Sequence, residues 1–146
     1  MQIFSSVTVI EASRDAVWRV LTDHVRYAEW VAASRVTMER FGDDDPDGPG
    51  AVRVFHAGPV RTKEEVTDWV PHEMMAYRLV SGIPVRNYRA RTVLRDGADG
   101  GTVMEWSSTF ETKIPFTGRF FRWFLGRAVH DIADGIKASA EAEAEA

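Results

Sequence analysis

The chain has 146 residues, 45% hydrophobic and 27% charged, with a net charge of −4, the balance of a globular protein and not of a disordered one. It has no cysteine, which excludes thiol catalysis, Cys-ligated zinc, iron–sulfur clusters and disulfide scaffolding. The acidic balance and the lack of a long basic segment argue against general nucleic-acid binding.

Met1–Ile10 lacks the basic start and apolar run of a signal peptide. No stretch approaches the roughly 18 uncharged apolar residues of a membrane span. The expectation is a cytoplasmic protein without stable membrane insertion, and the length suits one domain over 1–146.

Residues 2–10 (QIFSSVTVI) are β-branched and partly alternating, a first strand. Ser13 offers an N-cap to a short helix carrying Ala16, Val17, Trp18, Val20 and Leu21. Asp23 does the same for a second, carrying Val25, Tyr27, Ala28 and Trp30. From residue 34 the apolar period becomes two and stays so for most of the chain. Val36 and Met38 alternate with polar neighbours, and Gly42–Gly50 (GDDDPDGPG) has the composition of a mobile hairpin loop.

In the next strand Val52, Val54 and His56 share one face, opposite Arg53 and Phe55. After the Gly58-Pro59 turn, Val60, Thr62, Glu64, Val66 and Asp68 share a face. Further alternations run through Met75, Tyr77 and Leu79, then Tyr88, Ala90, Thr92 and Leu94, then Met104, Trp106, Ser108 and Phe110. Successive hairpins of this kind make an antiparallel meander with one wet face. Thr117 can cap a final helix of about 20 residues, whose Phe121, Phe124, Leu125, Ala128, Ile132 and Ile136 form a stripe toward the sheet. Residues 140–146 are expected to fray, because their glutamates oppose the dipole at the helix C-terminus.

Long strands must twist and curl, and a curled sheet closing on one helix tends to leave space. His56, Thr62, Glu64, Tyr88 and Thr92 fall in phase with apolar residues, where an unpaired polar group costs about 1–3 kcal/mol. A cavity holding water or a ligand removes that cost, so the interior is expected to be hollow.

The order strand, two short helices, meander and long helix resembles the helix-grip fold of the START/Bet v 1-like (SRPBCC) superfamily. Within it the chain is most similar to the polyketide cyclase/dehydrase and lipid transport group. The resemblance rests on IEASRDAVWRVLTD (10–23) with Trp30, GAVRVF (50–55), EEVTDWVPHEMMAYRL (64–79), SGIPVRNYRARTVL (81–94), GGTVMEWSSTF (100–110) and the aromatic last helix. It implies an α+β fold, a curved antiparallel sheet of six to seven strands around a long C-terminal helix with two short helices after strand 1. It leaves function open, because one fold hosts many activities.

Three readings follow. The first is binding of a hydrophobic or aromatic small molecule, lipid-like or polyketide-like, in an internal cavity and without metal or cofactor. The expected lining is Val54, His56, Glu64 and Val66, then Tyr77, Leu79, Tyr88, Ala90 and Thr92. Trp106 and Phe110 of the last strand and Phe121, Phe124, Leu125 and Ala128 of the final helix complete it. The second is a cyclase/dehydrase-type enzyme in which Glu64, His56 or Tyr88 moves protons, with Glu64 and His56 as cross-strand neighbours. No nucleophile or metal signature accompanies them, and His72-Glu73 fails as HExxH because Ala76 stands at the fifth position. The third is a protein-interaction module with a vestigial cavity, in which the aromatic helix contacts a protein partner. Phe120, Phe121, Trp123 and Phe124, the most concentrated aromatic segment, are candidates for a ligand gate, a homodimer contact or a membrane-touching patch.

Overall fold

In the computed structural model, residues 1–31 and 33–145 are described. The chain forms β1 (Gln2–Ile10), α1 (Arg14–Leu21), a 3-10 helix (His24–Glu29), β2 (Arg35–Arg40), β3 (Val52–Ala57) and β4 (Val60–Val70). Then come β5 (Met74–Ser81), β6 (Val85–Asp96), β7 (Thr102–Thr112) and α2 (Gly118–Glu145). The seven strands make one antiparallel sheet in the order β1-β7-β6-β5-β4-β3-β2. This is the helix-grip architecture expected from the sequence.

Local chemistry explains most boundaries. Ser13 starts α1, its hydroxyl accepting from the Ala16 amide at 3.2 Å. The segment after Asp23 winds as a 3-10 helix, and Asp23 makes no side-chain cap bond. Thr117 begins α2 with its carbonyl, which accepts from the Phe121 amide at 3.0 Å. Its hydroxyl turns back to donate to the Ile114 carbonyl and caps nothing.

Three expectations about the backbone need correction. Gly42–Gly50 is folded onto the core: the Asp47 carbonyl takes a hydrogen bond from His24, and a Cβ on Gly48 would lie 2.6 Å from the Trp69 ring. The helix continues through Glu145 where fraying was expected, and Ala140 is fully buried. Tertiary partners outweigh the dipole there: Arg26 pairs with Glu143 at 3.1 Å, and Glu141 accepts from the Glu11 amide and from Lys137 at 2.8 Å. Finally, a bulge between Val66 and Asp68 turns Asp68 away and puts Trp69 on the inner face, 5.3 Å from Trp18.

The two ends of the sheet differ. At one end α1 and the C-terminal half of α2 cover Ile10, Val66, Met75, Leu94 and Met104, all nearly inaccessible. At the other end lie the start of β1, the turns at Gly58-Pro59 and Gly82–Pro84, and the start of α2. Inward residues there, Phe4, Thr62, Leu79 and Ile83, with Phe121 and Leu125 of α2, are only half-buried. The β5–β6 ladder also stops at Arg78↔Arg89, so Leu79–Ser81 and Val85–Asn87 are not paired with each other. Each still pairs with its outer neighbour, Leu79 with Glu64 and Val85 with Thr112.

Candidate functional site

The inner face is organised around a residue that the alternation pattern placed outside. Arg53 is 1% exposed and directly opposite Glu64 across the β3–β4 hairpin. Its Nε and second terminal nitrogen both donate to Glu64 Oε1, at 3.0 and 2.9 Å. The guanidinium lies 4.7 Å from the Tyr27 ring centre, 4.6 Å from that of Tyr77 and 5.4 Å from that of Phe55. Such an aromatic cage stabilises a desolvated cation. A buried pair of this kind is costly to break from one side, by about 3–5 kcal/mol, because it leaves an uncompensated charge.

His24 completes the cluster. Arg53 donates to its Nδ1 at 3.1 Å, and its Nε2 meets the Asp47 carbonyl at 2.9 Å. Arginine can only donate, so Nδ1 must accept and Nε2 must carry the proton. Burial first, and the neighbouring Arg53 charge second, lower the imidazole pKa to about 3. It is therefore neutral. Burial pushes the Glu64 carboxyl above its ordinary value against the pull of Arg53. Its side chain keeps 13% exposure, so the carboxylate still borders accessible space.

Beyond this cluster a polar and aromatic row continues. Trp106 donates to the Tyr77 hydroxyl at 3.3 Å, and the Tyr88 hydroxyl lies 3.4 Å from Ser108 Oγ. Burial pushes the Tyr88 phenol up to about 12 and holds the Tyr77 phenol well above the ordinary phenol value. The Thr92 hydroxyl is buried without a hydrogen-bond partner.

Against the expected lining, Glu64, Val66, Tyr77, Leu79, Tyr88, Ala90, Thr92, Trp106 and Phe110 do face inward. His56 and Val54 do not. The loop between Ala57 and Val60 has two residues, so His56 pairs with Arg61, Val54 with Lys63, and Arg53 with Glu64. His56 bonds Thr37 at 2.8 Å on the outer face, and the proposed Glu64–His56 pair does not form. Phe124 also points outward, stacked on Phe120. At 100° per residue it lies well away from Ile132 and Ile136, and the buried stripe runs instead through Val129, Ile132, Ala133, Ile136 and Ala140. Ala128, like Phe121 and Leu125, is half-buried.

The expected hollow is closed in this conformation. Tyr77 lies 6.2 Å from both Tyr88 and Trp106, Tyr88 lies 6.1 Å from Phe110, and Phe4 lies 6.3 Å from Phe110. Tyr77, Tyr88, Trp106 and Phe110 are at most 3% exposed, so no sizeable void borders them. Two depressions, of about 420 and about 230 Å³, open on the outside instead. The larger is lined by Arg19, Asp23, Arg26, Asp47 and Glu143, the smaller by Met1, Asn87, Arg89 and Glu111.

Sequence reasoning missed Arg53, His24 and Tyr27 as site residues. The Gly58-Pro59 loop carried the signal for Arg53, since a two-residue loop pairs even positions of one strand with odd positions of the next. Nothing local marked His24, which earns its place through contacts from a loop 23 residues away.

The fold recurs in solved structures at low identity. A START superfamily protein from Mycobacterium smegmatis is 14% identical with a TM-score of 0.76, the match covering 98% of this chain and 97% of that one. Ara h 8.0201 is 16% identical, TM-score 0.75, covering 95% and 97%. A Thermobifida fusca protein is 21% identical, TM-score 0.73, covering 93% of each chain. Among curated protein sequences none matches. The family described as polyketide cyclase / dehydrase and lipid transport matches residues 1–141. With that match over nearly its whole length, on a chain with the helix-grip fold, the chain belongs to this family.

Proposed function

We propose that the protein binds a hydrophobic small molecule, with an apolar or aromatic body and a hydroxyl, between the sheet and α2. The observation that carries this is the loose end of the sheet. There the β5–β6 ladder stops and inward apolar residues keep solvent contact, while the opposite end is sealed. A guest admitted there would meet Leu79, Phe121 and Leu125 first, then the Glu64 carboxylate, whose second oxygen accepts from the guest's hydroxyl. Family membership and the START-like fold support the same class of ligand.

Native mass spectrometry with a panel of fatty acids, polyphenols and aromatic polyketides tests this reading. One or more members should bind at a ratio of one to one. Leu79→Trp, which fills the inner face at the loose end, should abolish that adduct. A panel that leaves the protein unliganded, or equal binding by Leu79→Trp, overturns it.

An acid/base enzyme is the second reading, favoured by the upward shift of the Glu64 carboxyl in a mostly apolar setting. It loses His56 and retains Glu64 and Tyr88. Turnover of a bound polyketide that vanishes in Glu64→Gln while binding persists would establish it; unchanged turnover removes it.

A further inference from the structure

The first turns of α2 and the loop before them carry side chains that the fold does not use. Phe120 is 56% exposed and Trp123 64%, with Phe124 and Ile114 also well exposed. The rings contact one another: Phe120 and Phe124 stack with centres 6.2 Å apart, and Phe120 lies 6.4 Å from Trp123. Phe116 is fully exposed with φ at +66°, a strained backbone region for a bulky residue. Positions 120, 123, 124 and 127 share one helix face, opposite the buried Ile136.

Charge sets this end apart from the rest of the molecule. Between Glu111 and Asp131 the chain holds Lys113, Arg119, Arg122 and Arg127 and no carboxylate, in a protein of net charge −4. Further along α2 come Asp131, Asp134, Glu141, Glu143 and Glu145 against Lys137 alone. Arg127 pairs with Asp131, and among the described residues Lys113, Arg119 and Arg122 make no ion pair. Helix stability does not explain the arrangement, because the dipole favours anions at the N-terminus and cations at the C-terminus. Both ends of α2 carry the opposite.

We propose that this tip docks on an anionic phospholipid membrane. Aromatic rings settle at the level of the headgroups, and arginines beside them meet the phosphates. The acidic half of α2 is repelled by the same surface, which stands the helix with its aromatic end toward the lipid. A second copy is a poorer occupant: a two-fold contact sets the same patch against itself, and here that opposes cation to cation. Docking would bring the loose end of the sheet to the membrane, but it does not depend on an interior guest.

Co-sedimentation with phosphatidylcholine vesicles, with and without a phosphatidylserine fraction, tests the proposal on the full chain. The protein should sediment with the phosphatidylserine vesicles and be released by salt. Arg119→Gln and Arg122→Gln should each weaken binding about fivefold. Trp123→Ala and Phe120→Ala should weaken it at least as much, at unchanged melting temperature, since these side chains lie outside the core. Absence of sedimentation, equal binding to both vesicle types, or variants that bind like the parent overturn it. So does light scattering that finds a dimer abolished by Trp123→Ala without any vesicle binding, which assigns the patch to a second copy. None of these outcomes touches the Leu79→Trp test, so the two proposals fail separately.

Discussion

Arg53 can be fully buried only because each of its neighbours offsets part of its desolvation: Glu64 supplies charge, Tyr27 and Tyr77 supply ring faces, and neutral His24 supplies a lone pair. The last requirement gives the protein a pH dependence with a definite sign. In the folded state His24 takes a proton only at about 3, against 6.5 when free. The unfolded chain therefore binds more protons anywhere between those values. The contribution of His24 is whole above 6.5 and is lost as pH falls toward 3, at up to about 1.4 kcal/mol per pH unit. Glu64 works the other way near the carboxylate range, because its raised pKa makes the folded state the better proton acceptor there. His24→Gln keeps an acceptor for Arg53 and a donor for Asp47 while removing the titration. Urea unfolding across this window should show a clearly flatter stability profile for His24→Gln than for the parent; parallel profiles would contradict the neutral imidazole.

Elements were legible where a local rule decided them. The first strand, the Ser13 cap, the meander after residue 34 and the inner faces of β5, β6 and β7 all follow from alternation and capping residues, and the structure has them so. Readings failed where contacts distant in sequence decided. Apolar matching along β3 puts His56 inside, whereas counting through the Gly58-Pro59 loop puts Arg53 there. The Val66–Asp68 bulge inverted the end of β4 because alternation alone cannot register an extra residue. The dipole argues for fraying at the tail of α2, while Arg26 and the Glu11 amide hold its glutamates. Gly135 belongs to the same class: a Cβ there would overlap the Trp30 indole. In an open helix, Gly→Ala stabilises by up to about 1 kcal/mol. Gly135→Ala should instead destabilise by about 1–3 kcal/mol through overpacking. In a Trp30→Ala background the same change should become stabilising, and thermal unfolding of the four proteins reads that coupling.

At the scale of the whole molecule the asymmetry between the ends matters more than any single residue. Polar groups in phase with apolar ones point to a hollow interior, and all of them but His56 do face inward. What the alternation pattern could not give is how far the rings of Phe4, Tyr77, Tyr88, Trp106 and Phe110 reach across the sheet, and they close the space. Admission of a guest therefore requires motion, and local opening takes place where stabilising contacts are few. The sealed end has α1, the second half of α2 and a β5–β6 ladder that runs out to Met74↔Val93 over the same layer of core. The loose end has a ladder that stops at Arg78↔Arg89, a positive φ at Asn87, and α2 residues half in solvent. Opening should be confined to that end. In hydrogen–deuterium exchange without ligand, amides of Val80–Asn87 should exchange orders of magnitude faster than those of Met75, Thr92 and Met104, with no loss of global stability. Binding of a guest should slow the former group and leave the latter unchanged. If all these amides exchanged at one rate set by global unfolding, the sheet would open only by unfolding, and a guest would have no route past Leu79.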